Sequence, residues 1–428
     1  MSEPSALLRG VYDAALAAVR ERLDTWVPRC VGAICEQLEP KGRVLLVAFG
    51  KAARPMAARA IAALAPVSDR VHGLLVPPSG DDAPLPPLEV IPAGHPLPDA
   101  GSFAAAARAM ELATAAGPHD YVVFLASGGG SALLELPIDP AVSVGEWRAL
   151  QQALVGSGAS IERVNAVRMR LSSVKGGRLG VAAGGARDVR TLVVSDVPGD
   201  VDTVASGPTA DCEDAPDTLA RDLDELQLWD ALPEALRARA RAGAIPALPA
   251  HSQSATMMTI ADEHHARARA CAELEDAGVV VDETLDVDDL PYARAASQAL
   301  ARLDALAAEH PGASVAVVVT GELSVPLPAE HGVGGRNLQF ALHCAEAIDG
   351  RSVTVMSCGT DGVDGNSPAA GAVVDGATAG AARALGLDLS DHLQRHDAYQ
   401  LLAAVGATIE PGPTGVNVRD LRVLLRHS

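Results

Sequence analysis

Tyr121-Val122-Val123-Phe124-Leu125-Ala126-Ser127-Gly128-Gly129-Gly130-Ser131-Ala132-Leu133-Leu134 sets an unbroken apolar run against a glycine cluster that opens into a helical pattern. A short apolar run with no polar alternation reads as a strand buried on both faces. The glycines then mark a turn that changes the period from extended to helical. The same unit recurs along the chain. Residues 44–49 lead into Gly50-Lys51 and a helix-like stretch over 55–64, and residues 191–194 end at Ser195-Asp196-Val197-Pro198-Gly199-Asp200. Residues 315–319 end at Thr320-Gly321-Glu322, and residues 353–356 at Ser357-Cys358-Gly359-Thr360-Asp361. Strands of this kind alternating with helices predict an α/β fold built on mostly parallel sheets.

The organisation follows from where that alternation lapses. Between residues 232 and 250 the chain turns to Ala, Arg and Pro without strand signals, and a new strand-like run over 255–260 precedes a charged helix over 262–277. Two α/β domains are expected, a Rossmann-like one over 1–245 carrying the glycine-rich loop and a smaller one over 246–428. Residues 6–23 predict an amphipathic opening helix, and the Pro-rich stretch 77–98 a long loop.

Composition narrows the function. The 428 residues include 54 acidic and 34 basic side chains, a formal net charge of −20. Such acidity argues against nucleic acid and anionic membranes, which select a basic face. Aromatics at 3% leave little for stacking on bases. No apolar run approaches the ~18 residues of a membrane span, and the first residues lack the apolar core of a signal peptide. The six cysteines (Cys30, Cys35, Cys212, Cys271, Cys344, Cys358) form no CxxC pair, so neither a disulfide framework nor a zinc site is indicated and a cytoplasmic setting is expected. Nothing in the sequence decides whether the chain associates with copies of itself.

Only three of the basic residues are lysines, Lys41, Lys51 and Lys175. A chain that otherwise uses arginine keeps Lys51 and Lys175 beside glycines, where a compact ammonium and a planar guanidinium are not interchangeable. Lys41 lies in an ordinary turn, Glu39-Pro40-Lys41-Gly42.

Each motif carries a chemical reading and a plainer one. In Ser127-Gly128-Gly129-Gly130-Ser131 the glycines let backbone amides approach an anion and the helix start adds favourable dipole charge. The same residues could simply make a tight turn with Ser131 as N-cap. The loop is neither a Walker A sequence nor a dinucleotide fingerprint. Asp196 and Asp200 flank a Pro-Gly turn past a buried strand, placed either to converge on one Mg²⁺, to divide base and ligand roles, or to cap the next element. Arg163, Asn165, Arg168, Lys175 and Arg178 form a cationic and polar patch between those two loops, with Asn165 and Lys175 the candidates for nucleotide contact; a solvated helix surface is the alternative. Arg336, in Gly334-Gly335-Arg336-Asn337, opens a helical pattern and suits a bidentate carboxylate or phosphate contact. Asp361-Gly362-Val363-Asp364-Gly365 adds two acids, but it fails the EF-hand template because Val363 and Gly365 stand where oxygen ligands are required.

Taken in order, Gly50-Lys51-Ala52-Ala53, Gly94-His95-Pro96-Leu97-Pro98-Asp99, the Ser127–Leu134 stretch, Asn165-Ala166-Val167-Arg168, Lys175-Gly176-Gly177-Arg178, Ser195–Asp200 with Ala205-Ser206-Gly207-Pro208-Thr209, Gly334–Asn337 and Gly359–Gly365 form a pattern. The chain resembles the MOFRL-type (class II) glycerate kinases, which phosphorylate the 2-hydroxyl of D-glycerate with ATP and Mg²⁺. That resemblance runs from about Leu45 to Asn417. It implies two α/β domains flanking a cleft, the second of them the MOFRL domain. It also implies that Lys51 and Arg336, from opposite domains, serve substrate binding or catalysis, and that Asp196 binds metal or activates the hydroxyl, with Asp200 or Asp361 in support. Three departures fall in the MOFRL part. Leu338-Gln339 replaces the family's Gln-Glu, Leu323-Ser324 its Thr-Thr, and Asn366-Ser367-Pro368 its Pro-Thr-Asp. If these residues read the acceptor, another small hydroxy acid becomes a candidate substrate. An NAD(P)H-dependent hydroxypyruvate reductase lacks its dinucleotide fingerprint here, and a non-catalytic binder of phosphorylated metabolites would not need Lys51, Asp196 and Arg336 together.

Overall fold

The computed structural model describes residues 2–197, 199, 201–211, 218–249, 255–326, 328 and 330–428, without the side chains of residues 161, 162 and 255. The chain divides into two compact units, Arg22–Ile260 and Met1–Glu21 with Ala261–Ser428.

The first unit is built on strands β1 (Val44–Phe49), β2 (Val71–Val76), β3 (Leu88–Val90), β4 (Tyr121–Ser127), β5 (Asp188–Val194) and β6 (Ala255–Ala261), in the sheet order β3-β2-β1-β4-β5-β6. The pairings β2/β3, β1/β2, β1/β4 and β4/β5 are all parallel. Every residue of β1 and β4 is buried, as their unbroken apolar runs require. Alanine-rich helices Ala53–Ala63 and Ala100–Thr114 press small side chains (Ala57, Ala60, Ala105, Ala109) into the core. The second helix starts at a capping box, in which Asp99 Oδ1 accepts from the Ser102 amide and Ser102 Oγ from the Asp99 amide, each at 3.0 Å. A satellite cluster around Trp147, Leu150, Leu171 and Leu223 joins the following helices.

The second unit carries β7 (Val280–Asp282), β8 (Val315–Thr320), β9 (Val353–Gly359), β10 (Gly371–Asp375), β11 (Thr408–Ile409) and β12 (Asp420–Arg426), in the order β11-β10-β9-β12-β8-β7. This sheet is mixed, not mostly parallel: β7/β8 is parallel, whereas β8/β12, β12/β9, β9/β10 and β10/β11 are antiparallel. The last strand of the chain returns between β8 and β9, and a fully buried apolar run reads alike in either direction.

Two boundaries also differ from the reading above. The strand-like run near residue 255 is β6, the edge of the first sheet rather than the opening of a new domain. The opening helix is longer than expected, Glu3–Gly32. Its residues up to Glu21 group with the second unit, where Tyr12 Oη donates to the Gly359 carbonyl at 2.8 Å and Arg9 to the Thr408 carbonyl at 3.0 Å. From Arg22 onward it groups with the first unit. Among the described residues no helix is long and apolar enough to cross a membrane.

Candidate active site

In the first sheet the chain moves outward from β1 to β2 and β3 on one side, and from β4 to β5 on the other. The point of reversal lies between β1 and β4, and in parallel sheets a ligand crevice opens beyond the carboxyl ends of such strands. Both loops leaving that point are glycine-rich. Gly50 has φ +113°, and a Cβ there would sit 2.2 Å from Ser127 Oγ, so the two strand ends approach more closely than any side chain at residue 50 permits. The approach is fastened by hydrogen bonds from the Lys51 amide to the Gly128 carbonyl (2.8 Å) and from the Ala52 amide to Ser127 Oγ (2.9 Å). Gly129, also left-handed at φ +81°, lies where a Cβ would meet the His95 ring at 3.0 Å and Lys51 Cγ at 3.4 Å. Half-buried Lys51, exposed His95 and the glycine loop therefore share one site. His95 is quoted in the family pattern above but carries no role there.

Behind the loop, Ser131 Oγ and Ser206 Oγ share a hydrogen bond at 2.9 Å, and Ser206 Oγ donates to Asn165 Oδ1 at 3.3 Å. Ala205 and Ser206 both hold left-handed backbone, φ +55° and +61°, a strain that side chains tolerate only under strong local constraint. Asn165 thus joins the glycine loop through Ser206. The rest of the cationic patch disperses. Arg163 pairs with Asp222 and Glu225, Arg168 donates to Gln151, and Arg178 donates to the carbonyls of Met169 and Pro246. Lys175, expected at the phosphates, is fully buried; its Nζ donates to the Ser131 carbonyl at 2.7 Å and pairs with buried Glu135. Glu135 also accepts from Ser172 Oγ at 2.6 Å. Lys175 therefore supports the glycine loop from beneath. Lys41 is exposed, as an ordinary turn lysine would be.

The register pairs Ser127 with Val194, so Ser195 and Asp196 emerge beside the glycine loop. Asp196 is half-buried there, and Asp200 lies outside the described residues. Among the described residues, no three His, Cys, Asp or Glu side chains gather into a group able to hold a metal. A Mg²⁺ that arrives with nucleotide needs only one or two protein carboxylates, its other positions being filled by phosphate and water oxygens. Asp196 fits that demand; a closed protein cage is not what this edge offers.

In the second unit, Arg336 opens helix Arg336–Ala347. Its Nε and Nη2 grip Asp420 side-on, at 2.6 and 3.0 Å, and Nη2 also lies 2.8 Å from Glu322 Oε1. Asp364, buried, accepts the first helical amides, Asn337 at 3.1 Å and Leu338 at 2.8 Å. Burial pushes its carboxyl up to about 6, against the opposing pull of those two amides. Asp361, half-buried, accepts the Val363 amide at 3.2 Å and so closes its own turn.

Of the departures from the family pattern, Leu323, Leu338, Gln339 and Ser367 are buried, whereas Ser324, Asn366 and Pro368 are exposed. Leu323 and Leu338 are core residues, and the buried Gln339 donates to the Leu393 carbonyl at 2.7 Å. Ser324 bonds by its amide to the Leu290 carbonyl at 3.0 Å. Asn366 clamps the loop before Arg336, accepting from the Gly334 amide at 2.8 Å and donating to the Gly332 carbonyl at 3.2 Å. Ser367 Oγ donates to the Asp364 carbonyl at 2.8 Å. The buried replacements serve packing, which removes the support that Leu323, Leu338 and Gln339 lend to a different acceptor.

Two family profiles match the chain, a domain of unknown function (DUF4147) over residues 7–241 and the MOFRL family over residues 315–420. A D-glycerate 2-kinase of Thermotoga maritima is 36% identical over 387 residues, 89% of each chain. The chain belongs to the MOFRL-type (class II) glycerate kinase family. An Agrobacterium vitis member, named provisionally as a hydroxypyruvate reductase, is 36% identical across 98% of this chain and 94% of its own. The crystal structure of glycerate kinase from T. maritima superposes with a TM-score of 0.80 at 33% identity, covering 98% of this chain and all of that one.

Two predictions follow for this glycerate kinase family member. Lys175→Met leaves Glu135 charged and buried, and should cost about 3–5 kcal/mol of stability. Pairing it with Glu135→Leu should restore most of that in denaturant titrations, yet KM for ATP should stay raised because the Ser131 carbonyl has lost its anchor. An unchanged KM in the stable double variant would make the pair purely structural. For Asp364, the folded carboxyl holds its proton to higher pH than its ordinary value of 3.8. Its contribution is therefore fully present below about pH 4 and is lost as pH rises through about 6, on the order of a few kcal/mol. Asp364→Asn should flatten the stability profile of the chain between pH 4 and 7, and identical slopes would contradict this assignment.

Proposed function

We propose that this chain transfers the γ-phosphoryl group of ATP to the 2-hydroxyl of D-glycerate, giving 2-phosphoglycerate and ADP. The observation that carries the reading is the meeting of Gly50-Lys51 and Ser127–Gly130 at the β1/β4 switch point, with the Lys51 stem packed against Gly129. Phosphoryl transfer asks for positioning and charge neutralisation more than for covalent chemistry by the protein. The amides of the Ser127–Ser131 loop cradle nucleotide phosphates, held in shape by Ser206, Asn165 and buried Lys175. Lys51 neutralises charge developing on the transferred group. Arg336 presents a planar donor edge to the acceptor carboxylate or to the phosphoryl group in flight.

Mg²⁺, when bound, would offset the charge of the phosphates. Asp196 would hold it, with Asp200 the nearest acid in sequence. The hydroxypyruvate reductase reading has no dinucleotide fingerprint to support it, and the loop after β1 is Gly50-Lys51-Ala52-Ala53.

An ATP-consumption assay across both glycerate enantiomers and small hydroxy acids, with NMR identification of the product, tests the proposal. D-glycerate should be preferred and phosphorylated at C2. Oxidation of NAD(P)H with hydroxypyruvate, without ADP formation from glycerate, would overturn it. A charge-assisted hydrogen bond contributes about 1.5–3 kcal/mol, so Lys51→Ala should lower kcat/KM roughly 10- to 100-fold. Lys51→Arg should be nearly as damaging, because a branched guanidinium cannot follow the ammonium's path past Gly129. Near-normal turnover by the Arg variant would defeat that argument.

A further inference from the structure

Arg336 is held by a buried ionic relay that the phosphoryl-transfer reading does not itself require. Asp420 is 1% exposed and begins β12, where it lies opposite Gly359 of β9 while its neighbour Leu421 lies opposite Thr320 of β8. Strand pairing on both sides fixes its backbone. Its carboxylate takes Nε and Nη2 of Arg336 in a two-point grip, which turns the remaining terminal nitrogen, Nη1, away from the acid.

A single carboxylate so placed would neutralise the arginine it orients. A second arginine offsets that effect. Arg422, fully buried, donates to the same Asp420 Oδ2 at 2.8 Å. Arg422 is in turn fixed by the Gly321 carbonyl (2.8 Å) and Asn337 Oδ1 (3.2 Å), and it lies over the Phe340 ring at 5.5 Å. Asn337 Oδ1 also accepts from Ser357 Oγ at 2.6 Å, and Asn337 Nδ2 donates to the buried Asp364 at 3.3 Å, so a second acid lies behind the relay. Two guanidiniums share one buried carboxylate, which leaves the trio with a net positive charge on its only partly exposed member, Arg336. Glu322, the other acid on Arg336, is 37% exposed at its side chain, whereas Asp420 is 1% exposed.

We propose that Asp420 is a positioning residue for Arg336, aiming its Nη1 edge at an anionic oxygen of the reactants while Arg422 holds Asp420 in place. This rests on the reading of Arg336 as a reactant-binding residue, and the test separates the two. The first measurement uses the wild-type chain and requires no turnover: hydrogen exchange of the Arg336 Nε–H followed by ¹⁵N NMR, assigned with Arg336→Lys. A relay predicts exchange at least tenfold slower than for a solvated arginine; solvent-like exchange would overturn the positioning role. The second is a double-variant cycle on kcat/KM for D-glycerate with Asp420→Glu, which keeps the buried charge but shifts it by one methylene. It should lose at least tenfold in the wild-type background and less than about threefold on Arg336→Lys. Equal losses in both backgrounds would mean that Asp420 acts through the fold alone. If wild-type protein phosphorylates no glycerate, the proposed function falls, and the exchange measurement still decides whether Asp420 orients Arg336.

Discussion

The candidate site depends on one close approach, the passage of the Gly50 backbone against Ser127 at the carboxyl ends of β1 and β4. Neighbouring parallel strands stand about 4.8 Å apart, and at the point of reversal their loops must leave in opposite directions. Only a residue without Cβ passes there, and only then can the Lys51 amide reach the Gly128 carbonyl. Once that bond forms, Lys51 is fixed in the turn that leads into helix Ala53–Ala63, and its stem lies along Gly129. The position of the catalytic candidate thus follows from main-chain geometry before any side chain is considered.

Both units handle charge near their loops in the same way. Beneath the glycine loop, Lys175 and Glu135 are each about 1% exposed at the side chain; beneath Arg336, Asp420 and Arg422 are equally sequestered. Buried ion pairs contribute little net stability, since desolvation offsets much of the attraction, yet breaking one costs several kcal/mol. Their use here is directional. A carbonyl held by Lys175 or a guanidinium held by Asp420 has one low-energy orientation, and the loop it belongs to inherits that orientation. A hydrophobic replacement of equal volume could fill the space without setting the angle.

Part of this was legible in the sequence. The strand runs, the glycine-rich loops and the order of motifs indicated an α/β fold and its family, because a buried strand and a tight strand–helix turn are local demands on composition. Lys51 was singled out by its rarity, and the structure places it at the switch point. Lys175 was singled out by the same argument and is buried, because a retained lysine signals a demanding environment without saying whether that environment is a ligand or a carboxylate. Its partner Glu135 looks like any helix-end acid. Asp420 is equally silent in sequence, being the first residue of an apolar run whose direction and neighbours are set only when β12 inserts between β8 and β9. The family departures Leu323, Leu338 and Asn366 could not be sorted into substrate-facing and inward-facing positions without that sheet.

The acidity of the chain gives these fixed cations their importance. A protein of net charge −20 repels anionic reactants at long range, but at physiological ionic strength that field is screened within about 8 Å. Inside that distance the sign of the potential is decided by individual groups. A flexible arginine in such a protein would fold back onto one of its many carboxylates and present no donor edge. Arg336 is bound on one edge to Asp420, whose charge Arg422 partly cancels, and its Nη2 also meets Glu322. Lys51 is restrained by a different device, its backbone held to Gly128 and its stem along Gly129. In both units the cation is held by what lies behind it, main chain for Lys51 and a buried carboxylate for Arg336.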